Sequence, residues 1–241
     1  MKIDIITLFP DMFKGVFNES IIKIAQRKEL VNINTHNLRN WSVDRYKTVD
    51  DKPYGGGPGM IIRVDIIYNA LISILGKGYR KDKLKTNRRI ILLDPTGEKF
   101  NQKKALKLSK FKHLIFICGH YEGVDNRVRE HLIDEQISIG DYILTGGELP
   151  TMVIIDSVVR LISGVLGKND SIQKESFSDF GIAGLKGRQL LEYPQYTRPE
   201  NFKGWKVPDI LLSGNHREIE KWKEQKSLEL TKKKRSDLLQ D

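Results

Sequence analysis

Three short segments combine glycines with apolar residues: 92–97 (LLDPTG), 118–123 (CGHYEG) and 138–150 (SIGDYILTGGELP). Glycine lets a backbone approach a ligand closely, and Glu122 adds a carboxylate that can hold an ammonium group. No lysine, serine or threonine directly follows Gly146-Gly147 to grip a phosphate. The chemistry favours a ligand with a flat ring and an ammonium group over a triphosphate, although glycines also commonly end strands for structural reasons alone.

Several familiar sites are excluded by inspection of the sequence. The chain has neither the G-x-G-x-x-G turn of dinucleotide-binding folds nor the G-x-x-x-x-G-K-[ST] P-loop. It has no G-x-S-x-G nucleophile elbow. Its five histidines show no metal-ligand spacing, and the single cysteine, Cys118, excludes an intramolecular disulfide and a cysteine-cluster zinc site.

A second group of chemically capable residues follows the double glycine. Asp156 and Arg160 are four positions apart in an apolar stretch, 148–162, that reads as a buried helix. An arginine in such a helix is costly unless it is paired, and an ordinary intrahelical ion pair is the simplest explanation. Beyond the helix lie Glu175 and Asp179. An arginine and a carboxylate together match the Watson–Crick edge of guanine, because arginine donates to O6 and the acid accepts from N1–H.

The elements that must position these residues alternate between β-rich runs and helical patterns. Such βαβα order predicts an α/β fold with a mostly parallel sheet and helices on both faces. In open parallel sheets ligands bind at the carboxyl ends of the strands, so the three glycine-rich segments are expected to converge on one pocket. Strands are predicted at 2–8, 31–38, 89–93, 113–118 and 136–144, and helices at 10–28, 64–75, 101–110, 124–132, 148–162 and 217–234.

The pattern divides the chain into three parts. Residues 1–166 form the predicted α/β domain that carries the glycine-rich segments. Residues 167–189 are rich in Gly, Ser, Asp and Lys without periodicity, which predicts a flexible linker. Residues 190–241 resume with a helical pattern and predict a small helical C-terminal domain.

The net charge of the chain suggests a polyanionic partner. The 241 residues carry a formal net charge of +10, and surplus lysine and arginine raise the affinity for nucleic acid by releasing condensed counterions. The alternative is a lysine-rich surface without a partner.

No apolar run approaches the roughly 18 residues that a bilayer span requires, and we see no signal peptide, so we predict a cytoplasmic protein that does not bind a membrane.

Five segments of the chain form a specific pattern by their order and spacing: 45–60 (RYKTVDDKPYGGGPGM), 118–128 (CGHYEGVDNRV), 138–150, 193–200 (YPQYTRPE) and 211–222 (LLSGNHREIEKW). Together they resemble bacterial tRNA (guanine-N1)-methyltransferases, and the likeness runs nearly end to end. The family belongs to the SPOUT class, so the resemblance implies a trefoil knot, which the hydrophobic pattern does not predict. It also implies a homodimer that transfers the methyl group of S-adenosylmethionine to N1 of the guanosine 3′ of the anticodon, position 37 of tRNA, with Mg²⁺ assisting.

The resemblance assigns residues to the donor pocket position by position. Glu122 is the expected partner of the donor ammonium group, and the double glycine is expected to lie against the adenosine. Asp94 stands where the family is expected to have serine. The implied pocket consists of Leu93, Asp94, Pro95, Gly119, Tyr121, Glu122, Gly123, Ile139, Gly140, Tyr142, Leu144, Gly146, Gly147 and Pro150.

The resemblance also assigns the catalytic groups. Arg160 matches an arginine that stabilises the charge on guanine O6, and Glu175 stands where the family usually has an aspartate as general base. Asp179 and Glu192 are alternative bases. Two other functions stay open: a related SPOUT methyltransferase that acts on another RNA, and a non-catalytic RNA-binding protein that has lost its base. The sequence does not identify a metal site.

Overall fold

The computed structural model describes residues 1–79, 87–166, 175–178, 187 and 189–239. The chain divides into two compact units, Met1–Leu166 and Gly167–Asp241. Within the described ranges, no helix is both long and apolar enough to cross a bilayer.

The first unit is built on a sheet of five parallel strands, which confirms the predicted α/β class. These strands are β1 (Lys2–Thr7), β2 (Asn32–Asn37), β5 (Arg88–Lys99), β6 (His113–Cys118) and β7 (Glu135–Ser138). Strands β3 (Asp50–Asp51) and β4 (Ile61–Ile62) form a separate antiparallel pair. The order in the main sheet is β2-β1-β6-β5-β7, so the sheet is not assembled in chain order.

Both faces of this sheet are buried. Successive side chains of a strand point to opposite faces, and in β6 Leu114 and Phe116 belong to one apolar cluster while Ile115 and Ile117 belong to another. Helices on the two faces complete these clusters. They are α3 (Val64–Leu75), α4 (Gln102–Leu108), α5 (Asn126–His131) and α6 (Glu148–Val159).

The predicted single helix at 10–28 is wrong. The segment instead forms a 3₁₀ turn, Pro10–Phe13, followed by α1 (Lys14–Phe17) and α2 (Ser20–Arg27). Glu19 is extended, and Ser20 has a φ of 50°. An extended residue followed by a left-handed one interrupts the helical hydrogen bonds, so the chain changes direction here.

Two predicted strand ends are also wrong. Strand β5 does not end at Leu93 but continues to Lys99 through a register shift between Leu93 and Glu98. Strand β7 ends at Ser138 rather than at 144, because the residues beyond it turn away to line a cavity. A Cβ on Gly97 would lie 2.5 Å from the Ile137 nitrogen, so the irregular part of β5 packs directly on the β7 backbone.

The second unit contains a two-stranded hairpin, β8 (Asn201–Phe202) and β9 (Trp205–Lys206), the short helix α7 (Asp209–Leu212) and the long helix α8 (His216–Lys234). Thr231 of α8 accepts a hydrogen bond from the Leu191 N–H at 2.9 Å.

Most of the predicted linker lies outside the described residues. Its longest described stretch, 175–178, is held to Leu190, whose carbonyl accepts the Phe177 N–H at 2.7 Å.

Candidate functional site

A cavity of about 420 Å³ lies at the carboxyl ends of β6 and β7 and at the irregular part of β5. Its walls are the three glycine-rich segments that the sequence singles out. The structure places every residue predicted for the donor pocket in the lining of this one cavity. They are Leu93, Asp94 and Pro95, then Gly119, Tyr121, Glu122 and Gly123, then Ile139, Gly140, Tyr142, Leu144, Gly146, Gly147 and Pro150.

Gly147 brings the third segment against the end of β6. A Cβ at this position would lie 2.8 Å from the Cys118 Cα and 3.0 Å from the Gly119 nitrogen, distances that real Cβ atoms rarely reach. The Gly147 N–H donates to the Gly119 carbonyl at 2.8 Å. The glycine therefore allows two backbone segments to meet directly and form one wall of the cavity.

Gly146 faces two polar side chains. A Cβ there would lie 2.4 Å from Oε2 of Glu148 and 2.7 Å from Nδ1 of His120. Glu148 is buried at the start of α6, where the helix dipole stabilises a negative charge, and its Oε1 accepts the Thr7 hydroxyl at 2.6 Å. Nδ1 of His120 is buried and has no hydrogen-bond partner among the described residues.

Asp94 links the first segment of the cavity to α5. Its Oδ2 accepts from Nη2 of Arg129 at 2.5 Å, and its Oδ1 accepts from the N–H and the hydroxyl of Thr96. Arg129 also donates to the Val124 carbonyl at 2.7 Å. Burial by itself would raise the pKa of Asp94, but the hydrogen bonds from Thr96 and Arg129 outweigh it and lower the pKa. The carboxylate is thus ionised and committed to protein partners.

Glu122 lies at the meeting point of the cavity and the glycine-rich segment 55–59. A Cβ on Gly59 would lie 2.4 Å from Cγ and 2.6 Å from Oε1 of Glu122. The Glu122 N–H donates to the Met60 carbonyl at 3.1 Å. Among the ion pairs between described residues, none involves Glu122, so its carboxylate is available to a cationic ligand.

Sequence reasoning missed some of the lining. Most of the missed residues stand next to predicted ones inside the same segments, so the segment boundaries already contained them. Two lie outside the segments: Ile137 belongs to β7, and Arg129 reaches the cavity from α5, where it bonds Asp94. The missed residues are Thr96, His120, Arg129, Ile137, Ser138, Ile143 and Thr145.

The predicted catalytic residues do not belong to the cavity lining. Arg160 directly follows α6, is partly buried, and its N–H donates to the Asp156 carbonyl at 3.3 Å. Glu175 and Glu192 belong to the second unit, where the Ser176 hydroxyl accepts the Glu192 N–H at 3.0 Å. The third candidate base, Asp179, lies outside the described residues.

No preformed metal cage occurs in the part of the chain that the structure describes, since no three His, Cys, Asp or Glu side chains there are grouped to hold a metal ion. Magnesium commonly takes only one or two protein carboxylates and fills its other positions with water and substrate oxygens. The described residues therefore do not fit a resident, all-protein magnesium site.

Fold and site together define an α/β protein with a cavity at the carboxyl edge of a parallel sheet, where glycines, apolar side chains and the Glu122 carboxylate meet. The comparisons with known proteins identify the family. The model of the tRNA (guanine-1)-methyltransferase TrmD family matches residues 1–241. The chain belongs to this family.

Its relatives are similar over almost their full length. The chain is 54% identical over 239 residues to a tRNA (guanine-N(1)-)-methyltransferase of Carboxydothermus hydrogenoformans, covering 99% of the chain and 87% of that relative. It is 52% identical over 241 residues to the protein of the same name from Bacillus cereus, covering 100% and 93%. The similarly named Bacillus pumilus protein is 52% identical over 239 residues, covering 99% and 92%. The resemblance stated from the five segments is confirmed.

Proposed function

We propose that this protein transfers a methyl group from S-adenosylmethionine to N1 of the guanosine 3′ of the anticodon, position 37 of tRNA. One observation carries the proposal: in a chain that matches the family from end to end, the residues expected for the donor all line one cavity. When bound, the donor supplies a methyl group on a sulfonium sulfur, and the chain itself must bind, orient and deprotonate.

The cavity is suited to hold such a donor in three ways. The absence of a side chain at Gly146 and Gly147 lets the third segment pack directly against the end of β6, which forms the wall against which the adenosine would lie. The Glu122 carboxylate is free to pair with the ammonium group. The Asp94–Arg129 pair joins the first segment to α5, and Arg129 also bonds the Val124 carbonyl next to the second segment, so the walls are positioned before the donor arrives.

Replacing Glu122 by Gln is expected to weaken S-adenosylmethionine binding by about 1–3 kcal/mol, the range for a hydrogen bond to a charged group. Isothermal calorimetry measures this directly. Glu130→Gln is the matched control, because Glu130 is an exposed carboxylate on α5 outside the cavity. An unchanged dissociation constant for Glu122→Gln removes this residue from the ammonium site.

Replacing Gly147 by Ala is expected to weaken donor binding, because extra atoms forced into a packed contact cost about 1–3 kcal/mol and displace the backbone that forms the cavity wall. The new Cβ meets backbone atoms at Cys118 and Gly119 that cannot rotate away. Gly15→Ala is the control, because a Cβ on Gly15 meets no atom within 4 Å. Wild-type donor affinity in Gly147→Ala would show that the wall formed by this turn does not contribute to the site.

The chemistry at guanine requires a proton acceptor. N1 of guanine is a poor nucleophile while it carries its proton, so in our proposal the Glu175 carboxylate accepts that proton as N1 attacks the methyl carbon. The N1–C bond forms, the S–C bond breaks and its electron pair stays on sulfur, which leaves a neutral thioether. Arg160 donates to O6, where negative charge builds up as the proton leaves.

Magnesium enters the proposal only as an ion that arrives with the substrate, because the described residues form no cage for it. A cytoplasmic location and the trefoil knot are likewise part of the proposal. We also propose that the chain consists of a catalytic domain (1–166), a linker (167–189) and a tRNA-binding domain (190–241). The boundary between the two compact units falls between Leu166 and Gly167 along the chain, which supports the first of these divisions.

A homodimer is supported by an exposed apolar surface on the first unit. Leu149 and Val153 are one helical turn apart on α6, and both are about half exposed. Phe9, Met12 and Val16, in the neighbouring N-terminal segment, are exposed to a similar degree. Clustered apolar side chains of this kind mark protein–protein contacts. Analytical ultracentrifugation tests the proposal by giving the mass in solution.

Methyl transfer to an unmodified tRNA transcript tests the proposed function. We expect the product nucleoside to be N1-methylguanosine by mass spectrometry, and replacement of the target guanosine by adenosine to abolish the reaction. Methylation of another RNA or at another atom would favour a related SPOUT methyltransferase. Tight tRNA binding without any transfer would favour a non-catalytic RNA-binding protein.

A further inference from the structure

The hairpin of the second unit exposes two aromatic rings side by side. Phe202 and Trp205 are direct cross-strand partners of β8 and β9, and their ring centroids are 5.8 Å apart at an angle of 60°. Trp205 is 73% exposed and Phe202 is 51% exposed. Tryptophan is usually among the more buried residues, so a pair exposed at the tip of a hairpin needs an explanation.

The hairpin is well suited to present these rings in a fixed orientation. Its two-residue turn consists of Lys203, with a φ of 54°, and Gly204, with a φ of 90°. Two successive positive φ values are the pattern of the tight turns that match the strand twist. The Asn201 side chain accepts the Gly204 N–H at 2.9 Å. The aromatic pair is therefore held by local bonds and does not depend on a partner for its position.

The charges around the rings favour an anionic partner. The six residues of the hairpin include two lysines and no acidic side chain. The ammonium group of Lys203 lies 5.6 Å from the centre of the Phe202 ring, and Lys206 follows Trp205 directly. Aromatic rings flanked by lysines are typical of sites where a nucleobase stacks while its phosphates meet the cations.

We propose that Trp205 and Phe202 form a stacking site for an unpaired nucleobase of the RNA substrate. This inference rests on the proposed function for the identity of the RNA and adds a contact away from the donor cavity. A second copy of the hairpin is a poorer occupant, because self-association would oppose each lysine with a like charge. Each strand is also only two residues long, which leaves little edge for another strand to pair with.

The test compares Trp205→Leu, which keeps an apolar side chain but removes the aromatic face, with Trp205→Phe, which keeps a stacking ring. We expect Trp205→Leu to bind an unmodified tRNA transcript about 10-fold or more weakly, and Trp205→Phe to bind within about 3-fold of wild type, in line with the contribution of one stacked base. Affinity for a fully paired RNA duplex should not change, since it has no free base. The salt dependence of tRNA binding should also be unchanged, because no phosphate contact is removed.

Fluorescence gives a second readout in the intact protein. In a Trp41→Phe, Trp222→Phe double variant, Trp205 is the single tryptophan, and stacking should quench its emission when the tRNA transcript is added. Equal tRNA affinity of Trp205→Leu and wild type, or unquenched emission at saturating tRNA, would overturn the inference. So would a lower solution mass for Trp205→Leu together with normal tRNA affinity, because the hairpin would then be a protein interface.

The same variants separate this inference from the proposed function. With Trp205→Leu we expect KM for tRNA to rise while kcat at saturating tRNA stays near wild type. If the wild-type protein transfers no methyl group but loses RNA affinity on Trp205→Leu, the proposed function fails and the stacking site stands.

Discussion

Glu175→Ala protein is expected to transfer the methyl group at least about 10²-fold more slowly than wild type, the lower end of what a general base contributes. Without the carboxylate, the N1 proton must leave to water while the methyl group moves. Single-turnover kinetics with saturating donor and tRNA measures this step. Binding of both ligands should be unchanged, because in our proposal Glu175 acts on the proton and not on affinity.

Three further variants make the assignment of the base specific. Glu175→Gln keeps the size but cannot accept a proton, so it should be as slow as Glu175→Ala. Glu175→Asp places the residue that the family usually has at this position and should retain much of the rate. Glu192→Ala tests the alternative base in the same unit and should keep near-normal turnover; the Glu192 carboxylate accepts a hydrogen bond from Gln195 at 2.5 Å. Near-normal turnover of Glu175→Ala would move the role to Asp179 or Glu192.

Arg160→Ala is expected to lower kcat by about 10²–10³-fold, the range for removing one donor that stabilises developing negative charge. In our proposal the guanidinium stabilises negative charge that develops on guanine O6 only as N1 loses its proton. KM for tRNA should therefore change much less than kcat. Arg160→Lys keeps the charge but not the planar fork of donors, and should recover only part of the rate.

Folding must be checked separately for this residue. Arg160 follows α6 directly and is partly buried, so its removal can also destabilise the helix end. Thermal melting and donor calorimetry distinguish the two effects. A protein that melts and binds the donor normally yet turns over slowly supports the catalytic role. Normal kcat in such a protein would contradict it.

Local sequence determined much of the framework. Helix α3 and strand β6 have the bounds that their patterns predict, 64–75 and 113–118. Both segments are rich in apolar residues, have the composition of their element and are followed directly by a glycine, so local preference and burial agree. The glycine-rich segments could be assigned to one cavity before any coordinates, because the carboxyl ends of parallel strands share one edge of a sheet.

Other features depended on contacts between distant residues. Asp94 is 35 positions from Arg129, and Thr7 is 141 positions from Glu148, yet each pair forms a hydrogen bond. The continuation of β5 beyond Leu93 likewise depends on pairing with β7. Neither composition nor periodicity records which distant side chains meet. A buried polar group is stable only with a partner, and the tertiary structure alone decides which partner reaches it.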